Sequence, residues 1–430
     1  MGGRTLIQYI RNQNKSDVVK MLSRNVDDSN EASLVAKAII EDVKARGDIA
    51  VNAYTKKFDG ATIDDLQVSQ SEIDEAMQVV SVDLKEALQE AANNIRKYHE
   101  QQGSNSYFIN EKDYRLGQIV KPIANVGMYV PGGRAAYPST VLMTAIPAKI
   151  AGVKELVMIT PPKADGTIQP SLLVAAAFAG VDKIYKVGGA QGIAALTYGT
   201  ETISKVAKIV GPGNSYVAAA KKIVSSVVGI DMVAGPSEIA IIADKEANPA
   251  FIAADLMSQA EHDEDAAAIL LTDSEALAEA VKMELAKQVE QLSRKSIILE
   301  ALSKNGAIVI TNSIDEAIDI TNELAPEHLE ILTTNAVDVY GRIESAGAIF
   351  IGEYSPEPVG DYFAGPNHTL PTNGTAKFAS PLSVTDFQKK TSLVYYSKEA
   401  LEMRKDAIEL IAEEEGLTAH ANAISIRFKR

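Results

Sequence analysis

The segment from Ser139 to Val187, STVLMTAIPAKIAGVKELVMITPPKADGTIQPSLLVAAAFAGVDKIYKV, carries the clearest evidence for the fold class. Each half has an apolar window, then Ala-Gly-Val, then a short apolar run. The windows Ser139–Ile150 and Ser171–Phe178 predict helices, and the glycine after each one stands where a helix C-cap needs a positive φ. The runs Leu156–Ile159 and Ile184–Val187 predict strands. Helices and strands that alternate at this spacing indicate βαβ crossovers and a mainly parallel sheet.

The same alternation continues toward the C-terminus. Further strands are predicted over Ile239–Ile242, Ala268–Leu271, Ala307–Ile310 and Ala348–Ile351, and further helices over Ile193–Leu196 and Tyr216–Val228. So many units favour two α/β domains over one large sheet.

The segments on either side of this alternation differ from it. The first 115 residues are predicted to be mostly helical, and apolar residues four apart from Val35 to Val43 predict a helix that breaks at Gly47. Ser355–Gly374 has four prolines and three glycines, which predicts an irregular loop of the kind that is often functional. Ser397–Glu415 is predicted to be one charged helix, followed by a short apolar tail.

Composition limits the possible partners and chemistry. The 430 residues are 46% hydrophobic, and 42 Lys and Arg against 57 Asp and Glu give a net charge of −15. This charge argues against nucleic-acid and membrane-surface partners. The apolar stretches fall short of the roughly 20 residues that span a bilayer, and the N-terminus lacks a secretory signal, so we expect a cytoplasmic protein. There is no cysteine, which excludes disulfides and a thiol nucleophile.

Histidine is scarce as well, with five in the chain. Asn248-Pro249 predicts the start of a helix, and Gln259 and His262, three apart near its end, lie on one face. They are candidate metal ligands, although His262 alone would also suit the terminal carbonyl groups of that helix.

An adjacent carboxyl and imidazole, Glu327 and His328, precede the predicted strand Leu329–Leu332. Ligand crevices form at strand ends in α/β sheets. The pair would supply two proton acceptors of different strength. A solvated turn is the alternative.

Other polar groups stand in segments marked by glycine, proline or acidic residues. Asp361 and His368 share the Pro/Gly-rich loop. As alternatives to a functional role, Asp361 could form an Asx-turn and His368 could be a surface group. His420 follows an acidic run that ends at Glu415, and alone it would be a tail histidine. Four of the five histidines thus lie near Gln, Glu or Asp, and this convergence favours a functional site.

Two Gly-rich turns follow predicted strands and precede helices, at Lys186–Gly192 and Val210–Asn214. Neither completes the dinucleotide pattern G-x-G-x-x-G. Backbone N–H groups at such helix starts can still receive a pyrophosphate. A third turn, Val130–Arg134, adds a basic group beside glycines.

Several short motifs, taken in order, cover nearly the whole chain. They are GMYVPGG (Gly127–Gly133), VGGAQ (Val187–Gln191), GPGN (Gly211–Asn214), AGPSE (Ala234–Glu238), SQAEH (Ser258–His262), APEHLE (Ala325–Glu330), GDYFAGPNHTLPT (Gly360–Thr372) and GLTAH (Gly416–His420). In this order they resemble the histidinol dehydrogenase family.

The resemblance implies NAD-dependent, four-electron oxidation of L-histidinol to L-histidine through L-histidinaldehyde, with two NAD and one zinc ion per site. The expected α/β fold has an N-terminal helical segment (1–30), a discontinuous Rossmann-like domain (31–125 and 239–381), a second one (126–238) and a C-terminal tail domain (382–430). Both Rossmann-like domains are expected to be incomplete, with mainly parallel sheets. The resemblance also implies a homodimer whose tails complete each other's active sites.

Site residues carry over motif by motif. The zinc ligands would be Gln259, His262, Asp361 and His420, and the acid–base pair would be Glu327 and His328. Further contacts to the substrate would come from Ser237, His368 and Glu415. The contacts to NAD would come from Tyr129, Gln191 and Asn214. From the residues alone, two other classes stay open. A zinc hydrolase would use the same ligands without the Gly-rich turns, and a nucleotide-binding or metal-storage protein would leave the acid–base pair idle.

Overall fold

The computed structural model describes residues 6–11, 13–23, 30–132 and 136–429. The described residues form two compact units. The first comprises those within Met1–Gln102 together with Ile123–Phe387, and the second comprises Gly103–Pro122 and Gln388–Arg430. The expected four-part division of the chain stays a prediction.

The strands are β1 (Gln8–Ile10), β2 (Tyr107–Asn110), β3 (Tyr114–Pro122), β4 (Asn125–Tyr129), β5 (Glu155–Thr160), β6 (Lys183–Lys186), β7 (Lys208–Val210), β8 (Gly229–Ile230), β9 (Glu238–Ala243), β10 (Ala267–Thr272), β11 (Gly306–Ile310), β12 (His328–Leu332), β13 (Ala348–Ile351) and β14 (Gln388–Tyr396). The helices are α1 (Lys15–Leu22), α2 (Asn30–Arg46), α3 (Asp48–Asp59), α4 (Gln70–Val79), α5 (Val82–His99), α6 (Pro138–Ala151), α7 (Pro170–Ala179), α8 (Gly189–Tyr198), α9 (Ser215–Val224), α10 (Pro249–Ala260), α11 (Glu275–Gln288), α12 (Lys295–Asn305), α13 (Ile314–Leu324), α14 (Ala336–Tyr340), α15 (Glu357–Val359), α16 (Lys398–Glu402), α17 (Lys405–Glu414) and α18 (Thr418–Ser425). The predicted α/β fold with mainly parallel sheets is confirmed.

A five-stranded parallel sheet includes the strands of the segment that carries the clearest evidence for the fold class. Its order is β6-β5-β4-β7-β8, and Met128 pairs with both Met158 and Val210. The chain moves outward from β4 in both directions, so the switch in strand order lies between β4 and β7, where α/β sheets bind ligands at their carboxyl ends. Gly152 and Gly180 end α6 and α7 with φ of 92° and 74°, as predicted.

A six-stranded parallel sheet has the order β1-β11-β10-β9-β12-β13. His328 at the start of β12 pairs with Ile239 in β9 and Ala348 in β13. Each sheet is buried on both faces, because apolar clusters cover the two sides of its strands. The first unit therefore contains two separate parallel sheets that can each position functional groups at their edges.

The first 115 residues are mostly helical, as predicted, and the short strand β1 joins the six-stranded sheet beside β11. Two other expectations need correction. The Pro/Gly-rich segment contains α15 and a π-helical turn at Gly360–Ala364, since Pro356 at the N-cap and Pro358 in the first turn need no backbone donor there. The expected single helix at Ser397–Glu415 is divided into α16 and α17, and the tail adds α18.

The second unit is a three-stranded antiparallel sheet, in the order β14-β3-β2, followed by α16–α18. Its surface includes exposed apolar side chains on β2, β14 and α17 and at the C-cap of α16, namely Tyr107, Phe108, Ile109, Val394, Tyr395, Leu410, Ile411 and Met403. Among the described residues, no helix is both long and apolar enough to cross a membrane.

Candidate functional site

The backbone of one residue, Glu238 at the start of β9, holds the predicted acid–base pair. Its N–H donates to Glu327 Oε2 at 2.9 Å, and its carbonyl oxygen lies 3.0 Å from His328 Nδ1. Both side chains are buried. A carbonyl oxygen only accepts, so Nδ1 carries the proton in the neutral ring and Nε2 keeps a free lone pair. His328 Nε2 is buried and has no hydrogen-bond partner among the described residues.

This pair lies at the amino end of β12, opposite to the carboxyl ends at which ligand crevices usually form in α/β sheets. The solvated turn considered for Glu327 and His328 is excluded by their burial. Ser237 precedes β9 at the same edge; it is half-buried, and its carbonyl accepts from Ala267 N at 2.9 Å.

The Pro/Gly-rich segment brings Asp361 and His368 to the same place. Asp361 Oδ1 lies 3.7 Å from His328 Nε2, and the Asp361 carbonyl oxygen lies 3.0 Å from His368 Nδ1. His368 Nε2 lies 3.3 Å from the hydroxyl of Thr140 in α6, the helix that follows β4. The site thus joins an edge of the six-stranded sheet to a helix of the five-stranded sheet.

Gln259 lies in the last turn of α10, whereas His262 lies two residues beyond its end and so outside the helix that was predicted to include it. The Asn248 side chain caps the start of α10, as predicted, by accepting from Ala250 N at 2.9 Å. The Gln259 side chain is 1% exposed, and neither its amide oxygen nor its nitrogen has a hydrogen-bond partner among the described residues. A buried polar group without a partner is costly. Its amide oxygen, the half-buried His262 imidazole and the Asp361 carboxylate are the donor types that zinc accepts, so these residues fit a metal.

Buried carboxyl groups that the sequence analysis did not select surround this centre. Glu357 in α15 is 2% exposed, and one ligand atom each from His328, Glu357 and Asp361 lie within 4.8 Å of one another. Glu330 in β12 accepts from Glu357 N at 2.8 Å. Glu330 could have been found from the sequence, because it is a charged residue inside a strand that was predicted to be buried. No feature of the sequence marks Glu357 within its proline-rich segment.

Burial and neighbouring charges shift the pKa values of the acid–base pair in the same direction. Burial is the main cause that raises the pKa of Glu327 to about 8, against the opposing charge of His328. Burial alone would lower the pKa of His328, but the charges of Glu327 and Asp361 outweigh it and raise the pKa to about 10.

The metal-ligand candidates and Glu357 are shifted as well. Burial would raise the pKa of Asp361, but His328 and His368 hold it below its ordinary value. Burial lowers the pKa of His262, which favours the neutral, metal-binding imidazole. Burial, with the nearby charge of Asp361, raises the pKa of Glu357 to about 8.

The Gly-rich turns lie at the carboxyl edge of the five-stranded sheet. Tyr129 ends β4, Gln191 lies in the first turn of α8, and Asn214 caps α9 through a 3.1 Å bond from Val217 N. Tyr129 and Gln191 are buried, and Gln191 Oε1 has no partner within the part of the chain that the structure describes. Of the third turn, Gly133 and Arg134 lie outside the described residues.

The GPGN turn is held by a buried ion pair that the sequence analysis missed. Lys221 Nζ contacts Asp231 Oδ1 and donates to the carbonyl oxygen of Gly211 at 2.9 Å, while Gly211 N donates to Asp231 Oδ2 at 2.7 Å. The side chains of Lys221 and Asp231 are 3% and 1% exposed. Both backbone groups of Gly211, whose φ is 110°, are therefore fixed by one charged pair.

The two remaining candidates belong to the second unit. Glu415 follows α17 and His420 lies in α18, and both are exposed. The structure brings the other candidates together at two edges of the first unit: Ser237, Gln259, His262, Glu327, His328, Asp361 and His368 at one, and Tyr129, Gln191 and Asn214 at the other.

Comparisons with known proteins agree across the chain. Residues 22–428 match the family model described as Histidinol dehydrogenase. Curated relatives named histidinol dehydrogenase include one from Clostridium acetobutylicum, 56% identical over 407 residues, with 94% of each chain covered. Another, from Listeria innocua, is 56% identical over 410 residues, covering 94% of this chain and 96% of the relative. The crystal structure of histidinol dehydrogenase from Elizabethkingia anophelis superposes with a TM-score of 0.94 at 42% identity, covering 99% of both chains.

Proposed function

The chain belongs to the histidinol dehydrogenase family of oxidoreductases in histidine biosynthesis, and from this membership we propose that it oxidises L-histidinol to L-histidine through L-histidinaldehyde. The alcohol loses a hydride to NAD and a proton to the protein, which gives the aldehyde. Water adds to the aldehyde, and the gem-diol loses a second hydride to a second NAD. One histidinol, two NAD and one water thus give one histidine and two NADH, with the released protons passing to solvent. We expect this reaction in the cytoplasm.

A single zinc ion would be held in each site by Gln259, His262 and Asp361, together with His420. The buried Gln259 amide, which has no hydrogen-bond partner within the described ranges of the chain, carries this assignment. When bound, zinc supplies a positive charge that orients the amine and imidazole of histidinol and offsets the negative charge of Asp361 beside His328.

His328 would accept the hydroxyl proton in the first oxidation. In the neutral ring the Glu238 carbonyl fixes the proton on Nδ1, so the lone pair of Nε2 faces the same space as Asp361. The nearby carboxylates raise the pKa of this ring, and the positive charge of a bound zinc ion would offset them and favour the neutral form. His368 would hold the substrate from the side of α6, where Thr140 positions its ring.

Glu327 would help to activate the water that hydrates the aldehyde. Its Oε2 accepts from Glu238 N and lies 3.7 Å from His328 Nδ1, so a protonated His328 ring would favour the charged form of Glu327 against the burial that raises its pKa. Since the chain has no cysteine, a thiohemiacetal is not available, and hydration is the remaining route to the acid.

NAD would bind at the switch between β4 and β7. Tyr129 and Gln191 line the buried side of this edge, and the turn before Asn214 presents backbone N–H groups at the start of α9. The placement agrees with the general position of nucleotides in such sheets.

The homodimer is part of the proposal because His420 and Glu415 are exposed on the second unit. That unit exposes many large apolar side chains, which a second copy of the chain would cover. Mixing a His262→Asn variant with a His420→Asn variant should restore activity, since one hybrid site would have all its ligands. Verified subunit exchange without recovery would mean that each site is built from one chain.

The central test is stoichiometry combined with two substitutions. The protein should form two NADH per histidinol consumed and bind one zinc per chain. His328→Asn should slow oxidation of both histidinol and histidinaldehyde by about 10²–10⁴-fold, whereas Glu327→Gln should mainly slow formation of the acid. Consumption of substrate without NADH would favour a hydrolase, and ligand binding without turnover would favour a storage role.

A further inference from the structure

We infer that Glu357 is a positioning residue that joins the two elements supplying the proposed metal ligands. The inference rests on the proposed zinc site, because Glu357 acts through Gln259 and Asp361 and is not itself assigned as a ligand. It concerns a buried carboxyl group for which the reaction above has no chemical role.

The contacts of Glu357 reach both elements. The Ser258 hydroxyl donates to Glu357 Oε2 at 3.3 Å, and Ser258 immediately precedes Gln259 in α10. A carboxyl oxygen of Glu357 also lies within 4.8 Å of one from Asp361, four residues later, where the helical turn becomes a π-helical turn. Residues four apart in a helical segment lie on one face. One carboxyl group therefore connects the helix that carries Gln259 to the turn that carries Asp361.

The position of Glu357 is itself fixed. Its backbone N–H donates to the buried Glu330 at 2.8 Å, and its side chain is itself buried, with a carboxyl oxygen within 4.8 Å of ligand atoms of His328 and Asp361. A side chain held at both its backbone and its carboxyl group can orient its neighbours with little loss of entropy. Groups that hold metal ligands from outside typically contribute about 10–100-fold to metal affinity.

Zinc affinity of the full-length protein, measured by competition with a chelating dye, tests this role without an activity assay. Glu357→Ala should weaken zinc binding by about 10–100-fold. Glu357→Gln keeps the size and hydrogen-bonding capacity of the side chain, so its affinity should stay near that of the unaltered protein. Ser258→Ala should lower the affinity less than Glu357→Ala does, and the exposed Glu353→Ala serves as the acidic control.

The outcomes separate this inference from the proposed function. If the unaltered protein binds no zinc, the proposed metal site fails. If the unaltered protein binds zinc and Glu357→Ala binds it equally well, the positioning role is wrong. If the zinc affinity of Glu357→Gln falls as far as that of Glu357→Ala, the carboxylate acts through its charge and the inference is overturned. Circular dichroism and NAD titration show whether Glu357→Ala is misfolded. If it is, the zinc affinities of Ser258→Ala and Glu357→Gln decide whether Glu357 positions the metal ligands.

Discussion

Breaking the buried pair of Lys221 and Asp231 should destabilise the first unit and weaken NAD binding together. The change is Lys221→Met, which keeps most of the side-chain length and removes the ammonium group. It leaves the Asp231 carboxylate buried at 1% exposure without its cation, and it leaves the Gly211 carbonyl oxygen without its donor.

The magnitude follows from these losses. Removing one partner of a buried ion pair typically costs about 3–5 kcal/mol, because the remaining charge is neither solvated nor compensated. Asp231 still accepts from Gly211 N and Met232 N, which places the expected loss near the lower end, about 3 kcal/mol. In the double variant Lys221→Met/Asp231→Asn the amide still accepts from Gly211 N and carries no charge. The double variant should therefore be more stable than Lys221→Met alone.

Urea unfolding followed by circular dichroism measures the midpoint shift at unchanged slope. Titration with NAD measures the NAD affinity of the protein, to which the GPGN turn is proposed to contribute. This affinity should fall in Lys221→Met and recover in part in the double variant. An exposed cation, as in Lys245→Met, provides the control. A loss below about 1 kcal/mol in Lys221→Met, the scale of an exposed pair, would refute the reasoning. So would a double variant whose loss equals the sum of the two single losses.

Three further predictions use other parts of the first unit. Gly211→Ala should weaken NAD binding and leave zinc content unchanged, because φ is 110° and a Cβ would overlap the carbonyl oxygen of Tyr129; titration with NAD and metal analysis measure the two effects. Burial lowers the pKa of His99 in the folded protein below its ordinary value of 6.5. Below pH 6.5 the unfolded chain therefore binds more protons at this residue than the folded protein does, and the folded protein should lose stability as the pH falls from 6.5 through the lowered pKa. His99→Gln should flatten this dependence when unfolding midpoints are compared at several pH values. Removing the proposed zinc with a chelator should abolish histidinol oxidation and lower the melting temperature, and added zinc should restore both; an unchanged melting temperature would contradict a metal bound to the folded state.

Local patterns predicted the parallel sheets well because their causes are local. Gly152 and Gly180 end helices since a positive φ is easiest for glycine, and the apolar runs after them become buried strands. The edge strand β1 escaped prediction because three residues carry no periodic signal, and its pairing with β11 spans most of the chain. The break between α16 and α17 was missed because the sequence there has no proline or glycine to mark it.

The family resemblance predicted the site residues one by one, and their roles stay proposals, whereas the groups that support them were not predicted. Glu238 acts on Glu327 and His328 through its backbone, and any residue offers the same backbone groups, so no sequence pattern marks this role. Glu357 and Lys221 are charged residues in polar or amphipathic segments, where exposure is the ordinary expectation. Their burial depends on contacts between distant elements.

In the proposed function, groups from two parallel sheets serve one reaction. The proposed NAD turn lies at a carboxyl edge, whereas the acid–base pair lies at an amino edge of the other sheet. The segment that joins the two sheets begins at Asp231, which is bonded to Gly211 N, and ends at Glu238, whose backbone holds Glu327 and His328. Gly235 within it donates to Thr372 at 2.7 Å, which fixes the segment to the chain that follows His368. We therefore expect a shift of the proposed NAD turn to reach the proposed acid–base pair along this short, anchored segment. For this reason substitutions at Asp231 should alter catalysis as well as NAD affinity.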